Sequence, residues 1–312
     1  MKKTILIGLM ILLAGTGLHT LLADQRIDTT SSETVSPSTN ASAAPSPAPD
    51  TAQSHSFNDA LAKEIEALSN ADSTQYSIYI CYPEENRSEY IYQSDSMRSA
   101  SMIKVFILGA AMEKIRNNQL TLNQTITLHA HDKVGGAGVL TGYADGSELS
   151  LDTVLRLMIT ESDNTATNLM IDLLGMEEIN NYIRRNGYSD TILQRKMMDT
   201  AAVAAGRENY TSVTDLGRFF RALYDRNCVS HELDERMLEY LKGQTDTECF
   251  PTALPNATIA HKTGELVGLY DDGGIIYMPD RTFIMVGMTE NYSSRGRALS
   301  TLRKMAICAA QN

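Results

Sequence analysis

Residues 102–115 limit what this chain can become more than any other stretch. They are apolar on nearly every side of a helix, with Lys104 and the Glu113–Lys114 end as the charged interruptions. A surface helix carries a single apolar stripe, so a helix of this kind belongs inside a folded body. Lys104 is then conspicuous, because lysine is rarely buried without a role. Ser101 opens the same helix, which puts its hydroxyl at the positive end of the helix dipole and leaves its own N–H unused by helix bonding.

The elements available to surround that helix can be read on either side of it. Phe57, Leu61, Ile65 and Leu68 fall at helical spacing. Residues 76–82 and 89–92 alternate and are rich in Tyr and Ile, which predicts a hairpin across Pro83-Glu84-Glu85-Asn86. Helical patterns follow at 151–160, 165–174, 176–185, 213–224 and 233–241, and residues 188–210 have the weak periodicity of a long structured loop. Strand-like runs at 257–262, 273–278 and 282–288 precede a last helix over 294–310. Strands at both ends with helices inserted between them predict one antiparallel sheet built from the termini. A mostly helical lobe packs against it, with a cleft between the two where a site is expected.

The N-terminal residues read differently. Met1-Lys2-Lys3 is followed by an almost continuously apolar run from Thr4 to Leu18, then by small residues up to Ala23. Residues 1–23 therefore read as a secretory signal peptide. Counted through Leu22, they also approach the ~20 apolar residues of a membrane span, which leaves an N-terminal membrane anchor equally open. A lipoprotein signal is excluded, because Thr16 stands after Leu13-Ala14-Gly15 where a cysteine is required. Both readings export the chain, either secreted or tethered to the outer face of the cytoplasmic membrane. Residues 24–56 are rich in Ser, Thr, Ala and Pro and nearly devoid of large apolar side chains, so a disordered spacer is expected. That leaves 57–312 as one folded domain.

A net charge of −11 argues against a nucleic-acid partner, which wants a basic footprint. With no polybasic patch, membrane contact is expected only through the N-terminal segment, and the domain is expected to be a monomer. The four cysteines (Cys81, Cys228, Cys249, Cys308) are far apart and form no CxxC, and His129 and His131 have no third ligand nearby. No metal or other cofactor is expected. Cys228 and Cys249 flank one predicted helix and could pair, while Cys81 and Cys308 read as buried thiols.

Three short motifs occur in order: Ser101-Met102-Ile103-Lys104, Ser162-Asp163-Asn164 and Lys262-Thr263-Gly264. Each is unremarkable alone, but all three together should arise by chance on the order of once in a thousand chains of average composition. Lys104 lies one helical turn from Ser101 on the same face, so a neutral amine there could take the hydroxyl proton. Neutrality needs burial and a second cation, for which Lys262 is the natural source. Ser162 can pass a proton to a leaving amine and Asn164 can hold a substrate amide, although Asp163 or Asn164 could equally cap a helix. Lys262 and Thr263 offer charge and hydroxyl to a carboxylate, and Gly264 ends the strand-like run with room for a substrate backbone.

The segments SASMIK, TESDNTATN and HKTGE resemble the active-site elements of class A β-lactamases and their penicillin-binding relatives. The resemblance spans 57–312. It implies an α/β (α+β) fold, a three-layer antiparallel sheet flanked by helices plus an all-helical lobe, and a catalytic role for the domain. Carried over by motif, it makes Ser101 the nucleophile, Lys104 its base, Ser162 the proton relay and Lys262 the neighbouring cation. Asn164, Thr263 and Gly264 become substrate-binding, and the backbone N–H of Glu265 joins that of Ser101 in an oxyanion hole.

Two departures stand out. The family's long loop places a deacylating glutamate two residues after an arginine, yet Arg195 is followed by Lys196 and Met197, leaving Asp199 as the nearest possible deacylation base. Asp271-Asp272 stands where many relatives place a basic residue for the antibiotic carboxylate, which predicts weaker penicillin capture. The leading expectation is a serine hydrolase with an acyl-serine mechanism on a β-lactam or related amide bond. The rivals are a D-alanyl-D-alanine carboxypeptidase or penicillin-binding protein that deacylates slowly, and a cell-wall or β-lactam-binding sensor without turnover. The expected partner is accordingly a small β-lactam or a peptidoglycan-peptide-like substrate.

Overall fold

A computed structural model describes residues 58–85 and 88–312. The expected signal or anchor segment, the spacer and Phe57 lie outside the described residues. The chain begins with α1 (Asp59–Ser69), capped by the Asn58 side chain, then β1 (Gln75–Cys81), β2 (Tyr90–Tyr92) and β3 (Met97–Arg98). A 3₁₀ turn, Ala100–Ile103, leads into α2 (Lys104–Arg116). Next come β4 (Thr125–Leu128), β5 (Ser147–Ser150), α3 (Leu151–Thr160), α4 (Asn164–Leu174) and α5 (Met176–Arg185). The chain continues through α6 (Thr200–Ala204), β6 (Tyr210–Thr211), α7 (Val213–Tyr224), α8 (His231–Lys242) and α9 (Phe250–Ala253). It closes with β7 (Thr258–Leu266), β8 (Leu269–Tyr277), β9 (Thr282–Glu290) and α10 (Arg295–Gln311).

The main sheet has the order β2-β1-β9-β8-β7, antiparallel throughout. Its strands come from both ends of the chain, as the sequence pattern predicts. One face buries Ile78, Ile80, Phe283 and Met285 against α1 and α10, with Leu61, Leu302 and Met305 opposite them. The other face meets the helical lobe through Tyr79 and Val286. Alternation along the strands explains this two-sided burial, since successive side chains point to opposite faces. The result is helices, sheet and helices in three layers.

At the centre of the lobe, every residue of α2 from Lys104 to Met112 is buried. Phe106 meets the rings of Tyr188 and Phe219 edge-on at 4.9 and 5.5 Å, contacts that each add about 0.5–1.5 kcal/mol beyond area burial. Gly109 is required by close packing: a Cβ there would lie 2.3 Å from the Tyr182 hydroxyl oxygen, on α5.

Several expectations need correction. Ser101 does not open the α-helix but sits in the 3₁₀ turn before it, because Ala100 adopts a left-handed conformation (φ 42°) that tightens the entry. Lys262-Thr263-Gly264 does not end its strand; β7 continues to Leu266 because each of these residues pairs with β8, Gly264 opposite Asp271. The small ladders β3–β6 and β4–β5 carry no clear periodicity and were not foreseen. All four cysteines are free, so Cys228 and Cys249 are not joined. Cys228 packs beside the Tyr182 hydroxyl and Cys249 is fully buried at the start of α9.

Candidate active site

Packing brings the three motifs together. The turn bearing Ser101 packs on β7, whose outer edge pairs with no other strand of the sheet. Gly264 permits this approach, since a Cβ there would lie 3.2 Å from both Ala100 Cβ and Met102 Cγ. The loop between α3 and α4 faces them, with Ser162 in a left-handed conformation (φ 50°). A non-glycine residue held there costs roughly 1–2 kcal/mol, and Ala100 and Ser162 both accept that cost beside the cleft.

Asp163 explains how the loop is held. One carboxylate oxygen caps α4 through Ala166 N–H at 2.9 Å. The other accepts from the N–H groups of Val139 and Leu140 at 2.6 and 2.8 Å, stapling the segment that covers the cleft. Gly138 makes this possible, with φ 119° and no room for a Cβ against Asp163. Capping and positioning are thus combined, which answers the alternative left open by the sequence.

Lys104 and Lys262 are both 0% exposed and meet at Ser162. Lys104 Nζ donates to Ser162 O at 2.5 Å, Asn164 Oδ1 at 2.9 Å and Ser162 Oγ at 3.1 Å. Lys262 Nζ donates to Ser162 Oγ at 3.0 Å and to Thr263 O at 2.7 Å. Burial, then the charge of Lys262, holds the Lys104 amine well below the usual lysine range. Burial brings Lys262 down to about 7, against the opposing pull of Asp246 and Asp272. The positive charge of Lys262 thus opposes a proton on Lys104, which suits Lys104 to be the base. Its hydrogen bonds run to Ser162 and Asn164 and none joins it to Ser101 Oγ among the described residues.

Both lysines titrate as one coupled pair. If acylation needs Lys104 neutral and Lys262 charged, its rate rises with pH as Lys104 loses its proton and falls as Lys262 loses its own near pH 7. Lys262→Arg, which stays charged, is expected to remove the falling limb. A second-order acylation rate constant flat between pH 6 and 8 in the wild type would contradict this assignment.

A cavity of about 340 Å³ opens beside Ser101, lined by Asn164, Met197, Asp199, Val203, Glu265 and Leu266 among others. The long loop forms its floor. Asp215 accepts from Asp190 N–H and the Thr191 hydroxyl at the loop's entry. Arg195 makes a buried ion pair with Glu208 at 2.6 Å. Asn168, on α4, clamps the backbone of Met197 through both its N–H (2.8 Å) and its carbonyl (3.1 Å). Met197 is 7% exposed and stands among the residues lining the cavity, where the resemblance leads one to look for a glutamate. Asp199 lines the same cavity, but one of its oxygens caps α6 through Ala202 N–H at 2.8 Å. Sequence reading missed Asn168 and Glu208, although Asn168 lies within TESDNTATN.

Asn164 contributes one amide hydrogen to Gly135 O at 3.1 Å and its oxygen to Lys104, which leaves a second amide hydrogen for a substrate carbonyl. Ser101 and Glu265 line two cavities in common, as paired oxyanion donors require. The expectation for Asp271 and Asp272 is overturned, for both are fully buried inside β8. Asp272 meets His261 Nδ1 at 2.8 Å and accepts from Phe250 N–H at 3.0 Å. Burial holds the Asp271 carboxyl well above its ordinary range. Neither faces a substrate.

A nucleophile turn against an edge strand, with two buried lysines sharing one serine hydroxyl, defines the penicillin-recognising class of active-serine proteins. The chain belongs to the β-lactamase enzyme family, whose model matches residues 60–311. Among its relatives, a β-lactamase of Streptomyces albus G is 27% identical over 239 residues, covering 72% of this chain and 74% of that protein. The β-lactamase SME-1 of Serratia marcescens is 22% identical over 246 residues, covering 76% and 83%. A solved β-lactamase from Sphaerobacter thermophilus DSM 20745 superposes with TM-score 0.75 at 28% identity, over 82% of this chain and 97% of that one. PBP-A superposes with TM-score 0.76 at 25% identity over 82% and 96%, and a variant of it was solved as an acyl-enzyme complex with penicillin G.

Proposed function

We propose that the protein is a β-lactamase-type serine hydrolase that acylates Ser101 readily and deacylates slowly. The single observation that carries this reading is the Lys104–Ser162–Lys262 hydrogen-bond chain beside Ser101. Ser101 Oγ attacks the carbonyl of a β-lactam or related amide and gives its proton to neutral Lys104. The C–N bond breaks as Lys104 returns the proton through Ser162 Oγ to the leaving nitrogen. The N–H groups of Ser101 and Glu265 hold the developing oxyanion, a contribution worth roughly 10²–10³ in rate per donor. Water must then open the ester, and here the cavity is lined by Met197 in place of a glutamate and by Asp199, whose carboxylate is already engaged as a helix cap.

That second feature favours the slow-deacylating carboxypeptidase or penicillin-binding reading over efficient antibiotic turnover. A chromogenic cephalosporin mixed with the protein is expected to add one acyl group to Ser101, seen by intact mass, that outlasts the turnover of an efficient β-lactamase. Fast turnover without a detectable adduct would place the protein with efficient β-lactamases, and no adduct with no turnover would leave only the sensor reading. The apolar N-terminal run and the Ser/Thr/Pro/Ala-rich spacer support a protein acting outside the cytoplasmic membrane, either secreted or tethered to its outer face.

A further inference from the structure

The hydroxyl shared by the two lysines is carried on a left-handed serine (φ 50°), a conformation that helix ends usually give to glycine. Ser162 must therefore be held from both sides. On its C-terminal side, Asp163 is fixed by the N–H groups of Ala166, Val139 and Leu140. On its N-terminal side α3 ends at Thr160, and the last carbonyls of a helix have no partner within it. Their partners come from the loop that follows α8, the helix packed on α3. Gln244 is 7% exposed and 85 residues away along the chain, and its Nε2 donates to Ile159 O at 2.9 Å. Its Oε1 accepts from Asp246 N–H at 3.1 Å, so one carboxamide joins the end of α3 to the backbone of the loop. Thr245 gives Thr160 O its N–H at 3.0 Å and its hydroxyl at 2.9 Å. By comparison, the N–H of Ser162 itself reaches Ile159 O only at 3.4 Å.

We propose that Gln244, assisted by Thr245, is a positioning residue for the proton relay: by anchoring the end of α3 it keeps the Ser162 hydroxyl where Lys104 and Lys262 meet. This rests on the acyl-serine reading and adds to it the residue that aims the relay. The consequence follows from what Ser162 does. A proton delivered to the leaving atom matters in proportion to how poorly that atom leaves without one. An amide nitrogen leaves badly as an anion, whereas the sulfur of a thioester departs as a thiolate with little need of a proton. Loosening the anchor should therefore slow C–N cleavage and spare C–S cleavage. Gln244 and Thr245 line the same cavity of about 200 Å³ as Ser101 and Ser162, but the hydrogen bonds that Gln244 makes among the described residues run to backbone groups.

The test acylates the full chain with penicillin G, which breaks a C–N bond, and with an acyl thioester, which breaks a C–S bond. Second-order rate constants are read by intact mass and by thiol release, in light and in heavy water. Gln244→Met keeps the length of the side chain and removes both hydrogen bonds. It is expected to slow acylation by penicillin about tenfold, a part of the 10²–10⁴ that a positioned proton donor contributes, and to change the thioester rate by less than about twofold. The solvent isotope effect with penicillin should rise, because proton transfer then limits the step. Thr245→Val leaves Gln244 and the N–H bond to Thr160 O in place, and should show the same pattern at about threefold. Thr245→Ser, which restores the hydroxyl, should behave as the wild type. An unchanged penicillin rate, or an equal fall with both substrates, would overturn the positioning role. So would a slower penicillin reaction at an unchanged isotope effect, which would make Gln244 a direct substrate contact. The isotope effect needs penicillin alone, so it decides the matter whatever the thioester rate. A wild-type protein that penicillin does not acylate would instead overturn the acyl-serine reading beneath it.

Discussion

Ser101→Ala is expected to abolish covalent labelling by a fluorescent penicillin and to lower amide or β-lactam cleavage by about 10⁴-fold or more, as loss of a nucleophile does in other acyl enzymes. The geometry makes a bystander role hard to sustain. Ser101 lies in a turn whose left-handed Ala100 is held against β7, and its hydroxyl opens onto two cavities shared with Glu265. Lys104→Ala should lower acylation by about 10²–10⁴-fold, the ordinary range for a general base, without preventing slow labelling of Ser101. That variant also exchanges a buried amine for a void beside Ser162, so folding is checked by circular dichroism. Lys104→Met, closer in volume, serves as the second variant. Labelling that persists undiminished in Ser101→Ala would remove the nucleophile assignment, and with it the proposed mechanism.

Met197→Glu should shorten the lifetime of the acyl-enzyme by about 10²-fold or more, the size of a newly supplied general base. Met197 lines the same cavity as Ser101 and Asn164, and Asn168 fixes its backbone from both sides. A glutamate there has nearly the length of methionine, so its carboxylate enters the place where a deacylating water must stand. Met197→Gln supplies the same shape without the base and should leave the lifetime close to that of the wild type. Asp199→Asn should change little, because the carboxylate is short and one oxygen already caps α6. An acyl-enzyme equally long-lived in the Met197→Glu protein would show that deacylation is limited by something other than a missing base.

Some of this was legible before any coordinates. The helices Leu151–Thr160, Met176–Arg185 and Val213–Tyr224 begin and end where their apolar periodicity does, because each buries one continuous stripe. Lys104 could be placed in the interior from its neighbours alone, and it is there. The family resemblance rested on residue types at three separated places, and the family match over 60–311 agrees with it. Strand ends were less legible. The Lys262-Thr263-Gly264 run looked like a strand terminus because Gly264 is usually a breaker, but pairing with Asp271 and Asp272 keeps it extended. The short ladders β3–β6 and β4–β5 join residues too few and too mixed in character to show a period.

The chain alone determines which chemical groups are available: a serine and a lysine one turn apart on an apolar helix, a second serine and lysine far along the chain, and no glutamate two residues after Arg195. Those facts depend on covalent order and on local periodicity, which every residue carries with it. Only tertiary structure decided how the charges are spent. Asp271 and Asp272, adjacent in sequence to nothing that hides them, are sealed inside the sheet by the register of β8. Glu161, Asp246 and Glu265, from three distant segments, converge on the cleft instead. Two lysines lying 158 residues apart by their numbers, 104 and 262, share one hydroxyl. Electrostatic environment depends on distance through space and on exclusion of water, and neither is written along the chain.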